Sequence, residues 1–84
     1  SMSMPVKPIE RNGSCPPGYR PSGNMCVPNS NAKPVIVKNG SCPPGWRPAG
    51  NYCVANDSNP KTVIPKSGSC PPGYRPAGNY CVEN

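Results

Sequence analysis

The chain has 84 residues, 33% of them apolar, with no Phe and a single Trp, so it cannot assemble a core of ordinary size without a covalent staple. Nine Lys and Arg stand against three acidic residues, a formal net charge of +6, and there is no His. No apolar run approaches the ~20 residues of a membrane helix, no signal peptide is recognised, and 15 Pro argue against helices.

Ser1-Met2 reads as a scar left by cleavage, and the chain as a mature or trimmed form. The segment Met4-Pro5-Val6-Lys7-Pro8-Ile9-Glu10-Arg11 is too rich in Pro for a helix and fits an extended edge strand. Asn12-Gly13 then signals a turn. Behind it stands Ser14 to Val27, a stretch that returns at Ser41 to Val54 and again at Ser69 to Val82. Aligned on Cys15, Cys42 and Cys70, the copies lie 27 and then 28 residues apart, so the repeat is the folding unit.

Within a copy, Cys-Pro-Pro-Gly is turn chemistry, with Pro17-Gly18 at the centre of a type II turn where Gly takes positive φ. Tyr19-Arg20 extends. Pro21-Ser22-Gly23 has the form of a three-residue hairpin loop, and Asn24-Met25-Cys26-Val27 returns. In the later copies this hairpin sets Trp46 with Tyr52, and Tyr74 with Tyr80, at or near opposite positions. Met25 takes the place of the second aromatic in copy one, which is expected to be the loosest.

Between copies, the polar, turn-rich residues 28–32 and 55–60 lead into Val35-Ile36-Val37 and Val63-Ile64, with Val6 and Ile9 in the equivalent place before copy one. These β-branched runs read as short strands, and Asn39-Gly40 as a hairpin turn returning into Cys42. The expected fold is small, all-β and disulfide-rich, with three tandem hairpin or meander repeats and little or no helix. Repeat 1 covers residues 4–29, repeat 2 covers 33–56 and repeat 3 covers 61–84, with 30–32 and 57–60 as linkers. The repeats could form an elongated array or share one core in pseudo-threefold fashion. Isolated repeats would waste the Val/Ile strands, which favours contact between them.

Six Cys, one pair per repeat at constant spacing, read as the disulfides Cys15–Cys26, Cys42–Cys53 and Cys70–Cys81. Each closes a ring worth roughly 3 kcal/mol of chain entropy and calls for an oxidising compartment: secreted, periplasmic or cell-surface. A gap of ten residues is unlike the short Cys pairs of zinc, iron–sulfur or redox sites, so no metal and no cofactor are expected. Glu10, Asp57 and Glu83 lie outside the repeated frame, and Ser14, Ser41 and Ser69 have no base to activate them. The chain does not read as an enzyme.

What recurs is one Arg and one or two aromatics per hairpin: Tyr19 with Arg20, Trp46 with Arg47 and Tyr52, Tyr74 with Arg75 and Tyr80. As a binding surface they would form a stacking platform with an anion contact, led by Trp46 and Arg47. As structure they would cover the disulfide, and in a chain so short of apolar mass that simpler reading carries more weight. Neighbouring strand residues face opposite ways, so Trp46 and Arg47 cannot both meet one partner on a flat hairpin. Lys33, Lys38, Lys61 and Lys66 spread the positive charge evenly. Asn12-Gly13-Ser14, Asn39-Gly40-Ser41 and Asn56-Asp57-Ser58 match the glycosylation triplet, but turn chemistry explains the first two.

The unit Cys-Pro-Pro-Gly-Tyr/Trp-Arg-Pro-x-Gly-Asn-Tyr-Cys-Val resembles a short motif of small bacterial proteins predicted to be secreted, whose role is unassigned. The resemblance covers about half the residues, departs at Met25, and implies an extracytoplasmic location without implying an activity. The expected function is a non-catalytic secreted or surface interaction module, binding multivalently to a protein or an anionic polysaccharide or surface. A cationic membrane- or wall-active peptide and a weak nucleic-acid or polyanion binder are the alternatives.

Overall fold

The computed structural model describes residues 4–84; the reading of Ser1-Met2 as a cleavage scar lies outside them. Nine short strands form, and no helix is present among the described residues: β1 (Ile9–Glu10), β2 (Tyr19–Ser22), β3 (Met25–Pro28), β4 (Val35–Val37), β5 (Trp46–Ala49), β6 (Tyr52–Ala55), β7 (Val63–Pro65), β8 (Tyr74–Ala77) and β9 (Tyr80–Glu83). They make three separate antiparallel sheets, ordered β1-β3-β2, β4-β6-β5 and β7-β9-β8. Each repeat is thus a three-stranded sheet of its own, closed by its own disulfide. The pairs are Cys15–Cys26, Cys42–Cys53 and Cys70–Cys81, with Cα–Cα distances of 5.6, 5.7 and 5.7 Å, and no cysteine is left free.

The strand order differs from a meander, and proline is the reason. Pro21, Pro48 and Pro76 stand in mid-strand opposite Cys26, Cys53 and Cys81. A residue without an N–H is tolerated at a sheet edge and not in its centre. The outgoing strand must therefore lie outside, and the return strand, whose interior lacks Pro, takes the middle and pairs on both sides. The apolar strand joins the far side of the return strand, so β4 pairs with β6 and not with β5. Asn39-Gly40 consequently bends the chain without joining two paired strands.

Local turn chemistry follows the sequence in one place and departs from it in another. Tyr19, Trp46 and Tyr74 donate their N–H to Pro16, Pro43 and Pro71 at 3.1 Å, with Gly18, Gly45 and Gly73 at φ of 83°, 85° and 86°. That is the expected type II turn. The hairpin loop, however, is two residues long. Ser22 already pairs with Met25, Gly23 has φ 59°, and Asn24 has no positive φ, the signature of a type II′ turn. The tighter loop moves the register, so Trp46 stands opposite Ala55, Tyr52 opposite Ala49, and Tyr80 opposite Ala77. The expected cross-strand aromatic pairs do not form. Of the N-terminal segment only Ile9–Glu10 joins a sheet, and Val6 is exposed.

Paired residues project to the same side of a sheet, which gives each repeat two faces. The forward face carries Ile9, Cys26 and Tyr19 in repeat 1, and Ile36, Cys53 and Trp46 in repeat 2. The rear face carries Val35, Val54, Ala49 and Tyr52 in repeat 2, and Val63, Val82, Ala77 and Tyr80 in repeat 3. Forward faces pack on the next rear face. Tyr19 and Cys26 cluster with Val35 and Val54, while Trp46 and Cys53 cluster with Val63, Tyr80 and Val82. The core is therefore two seams between repeats, and the arrangement is an array of 35 × 23 × 19 Å without a common centre. Only β6 is buried along its whole length, because repeat 2 alone is covered on both faces. The N-terminal segment crosses the array, Met4 packing on the second seam and its N–H reaching the Pro60 carbonyl at 3.2 Å.

Candidate functional site

The two seams repeat one arrangement of hydrogen bonds. The Tyr52 hydroxyl donates to the Glu10 carbonyl at 2.7 Å and accepts the Asn12 N–H at 2.7 Å. The Asn51 amide donates to the Asn12 carbonyl at 3.0 Å. One repeat later, Tyr80 donates to Val37 at 2.8 Å and accepts from Asn39 at 2.7 Å, while Asn79 donates to Asn39 at 3.1 Å. Each Asn-Tyr pair thus grips the backbone bend that follows the preceding repeat's first strand. In repeat 1 the tyrosine position is Met25, 39% exposed.

These bonds correct the stacking-platform reading for Tyr52 and Tyr80. Their side chains are 0% and 2% exposed, so they offer no ring face to a partner. Tyr19 is likewise buried and donates to the Lys33 carbonyl at 2.7 Å, and Trp46 is 7% exposed against repeat 3. Burial pushes the Tyr19 phenol up from its ordinary range, since the charged form would lose solvent there. Tyr74 holds the same place in repeat 3 and is only half-buried.

The arginines behave oppositely. Arg20, Arg47 and Arg75 occupy one register position on the outer strands, opposite Val27, Val54 and Val82, and all three are exposed. One nitrogen of each is anchored across its own hairpin: Arg20 to the Pro28 carbonyl at 3.4 Å, Arg47 to Ala55 at 3.1 Å, Arg75 to Glu83 at 3.4 Å. The Asn29 and Asn56 side chains add contacts of 3.0 and 3.4 Å. A guanidinium carries five N–H donors, so most of each fork stays available while its position is fixed.

Sequence reading treated Lys33 and Lys61 as scattered charge. The fold gives them a shared place. A cleft of about 190 Å³ between repeats 1 and 2 is lined by Pro17, Gly18, Lys33, Arg47 and Val54. Its counterpart of about 390 Å³ between repeats 2 and 3 is lined by Pro44, Gly45, Trp46, Lys61, Arg75 and Val82, with Asp57 at its side. Each cleft is therefore lined by the Lys that opens one repeat, by that repeat's outer-strand Arg and by the Pro-Gly turn of the preceding repeat. Both lysines stand nine residues before the first Cys of their repeat, the one signal that could have found them.

Among the described residues no three His, Cys, Asp or Glu side chains gather as a metal site, and no helix is long and apolar enough to cross a membrane. Three closed disulfides suit an oxidising, extracytoplasmic environment. Set against known proteins, the chain matches no family model, no curated protein and no solved structure.

Proposed function

We propose that the chain is a non-catalytic interaction module of the cell exterior, secreted or surface-bound, which holds an anionic polysaccharide or similarly charged surface in its two inter-repeat clefts. The observation that carries this reading is the recurrence of the pair Lys33–Arg47 as Lys61–Arg75, at equivalent places in both clefts. Lys33, whose ammonium donates to the Asn56 carbonyl at 3.2 Å, and Arg47 line one cleft that has no carboxylate in its lining, so an anion entering it meets two positive groups and no negative one. Anchored arginines lose little side-chain freedom on binding, which lowers the cost of engagement. Two clefts on one array convert weak single contacts into useful avidity.

Titration with a sulfated polysaccharide, followed by Trp46 emission and calorimetry at several salt concentrations, tests the reading. Affinity is expected to fall steeply with salt. Neutralising Lys61 and Arg75 to Gln should weaken binding about tenfold or more, through one lost cleft and the lost avidity. Neutralising Lys38 and Arg20, which line neither cleft, removes the same charge and is expected to matter far less. Equal losses from the two double variants would reduce the binding to net charge and overturn the clefts. Leakage of anionic vesicles, or tighter binding to single-stranded nucleic acid than to the polysaccharide, would replace this reading with one of its rivals.

A further inference from the structure

Repeats 1 and 2 each present a forward face that the next repeat covers, and repeat 3 presents the same face uncovered. Pro16 and Pro43 are buried in the seams, whereas the equivalent Pro71 is exposed; Tyr19 and Trp46 are buried, whereas Tyr74 is half-exposed. The backbone bend that Tyr52 and Tyr80 grip at Glu10–Asn12 and Val37–Asn39 recurs at Pro65–Ser67, where no hydroxyl arrives. Glycine gives the same account. A Cβ on Gly13 or Gly40 would meet Asn51 or Asn79 at 3.1 or 2.9 Å, while Gly68, at nearly the same φ of 72°, faces open space.

We infer that the forward face of repeat 3 is a docking site for another unit of this same type, a disulfide-closed hairpin bearing Gly-Asn-Tyr-Cys. The occupant is defined by two covered examples of the interface. Its Tyr hydroxyl donates to the Pro65 carbonyl and accepts the Ser67 N–H, and its Asn amide donates to the Ser67 carbonyl. Its Val and Ala side chains cover Tyr74 and Ile64. The same geometry calls for a cation. Glu83 stands opposite Tyr74 where the covered repeats have Pro28 and Ala55, and its Oε1 is buried with no hydrogen-bond partner. A following unit brings the lysine that opens it to this side, as Lys33 and Lys61 come to the Pro-Gly turns of repeats 1 and 2. A second copy docked by its own repeat 1 fits less well, because Met25 has no hydroxyl to give. The inference is independent of what the clefts bind.

Because Asn84 repeats the role of Asn56, each donating its N–H to the Gly of its own turn, the chain can be extended after Asn84 by a second copy of residues 57–84. Amide exchange measured by NMR then reads the site. In the parent chain the Asn12 and Asn39 amides are expected to be protected and Ser67 to exchange freely. In the extended chain Ser67 should slow at least about tenfold, and Phe in place of the added unit's tyrosine should abolish that protection while its disulfide still closes. Unchanged exchange at Ser67 in an extended chain with four closed disulfides would overturn the inference. So would failure of the added unit to oxidise to one species, since the face should template it. Ser67 protection in the parent chain that grows with protein concentration would overturn it too, by making a second copy the occupant.

Discussion

The Tyr80 hydroxyl donates to the Val37 carbonyl at 2.8 Å across 43 positions of sequence, and Tyr52 makes the same bond to Glu10 at 2.7 Å one repeat earlier. Aromatic residues that would serve as a binding surface on an isolated hairpin are here the fasteners between hairpins. Small sheets of two to four residues per strand cannot bury an apolar face alone, so each relies on its neighbour to do so.

Tyr80→Phe leaves the Asn39 N–H and the Val37 carbonyl partly buried without the hydroxyl, and is expected to cost about 1–2 kcal/mol. Tyr52→Phe should cost a similar amount in the other seam, and the double variant close to their sum if the seams are independent. Met25→Tyr should change stability by less than about 0.5 kcal/mol, because Met25 is exposed and belongs to neither seam. Urea unfolding with the disulfides intact measures all four.

Gly40→Ala and Gly68→Ala impose the same backbone strain, of about 1–2 kcal/mol for a left-handed residue. Only the first also drives a methyl against the Asn79 amide and its bond to the Asn39 carbonyl. The difference between the two variants is expected to be about 1 kcal/mol, Gly40→Ala being the less stable. Equal stabilities would mean that the Asn79 contact contributes nothing.

Replacing Cys42 and Cys53 by Ala removes a ring worth about 3 kcal/mol and leaves a gap at a side chain that is fully buried. Repeat 2 forms one wall of both seams, so its loss should red-shift Trp46 emission and expose the amides of Asn12 and Asn39 together. The same change at Cys15 and Cys26 should leave the second seam, and Trp46, closer to the native state.

Alkali should weaken the first seam. The Tyr19 phenol is raised by burial, so its neutral form is favoured in the folded chain. Stability from this group is therefore complete below the unfolded value of about 10 and is lost as pH rises through the higher folded value. Ionised Tyr19 also has no proton for the Lys33 carbonyl. Ultraviolet titration should show a phenol ionising above the ordinary range that Tyr19→Phe removes, and the same variant should flatten the loss of stability above pH ~10.

Most of the unit is legible in the chain itself. The spacing of Cys15 and Cys26, repeated twice, fixes the disulfides, because a ring closed the same way three times leaves few other pairings that treat the copies alike. Pro-Pro-Gly fixes the type II turn, since φ at Gly18 must be positive. The strand order was also present, in Pro21, Pro48 and Pro76: a strand broken by proline belongs at an edge.

Only the tertiary structure decided which residues face one another across repeats. A shift of one residue in the Gly23-Asn24 loop moves every side chain of the return strand along its partner, and nothing local weighs that shift. The same tyrosine is a surface or a fastener according to whether a bend of backbone lies within reach of its hydroxyl, a fact of the array and not of the hairpin. Sequence sets what each unit can do alone; Tyr52, Tyr80, Lys33 and Lys61 take their roles from the unit next door, because apolar area too small to hold one hairpin is enough to hold two together.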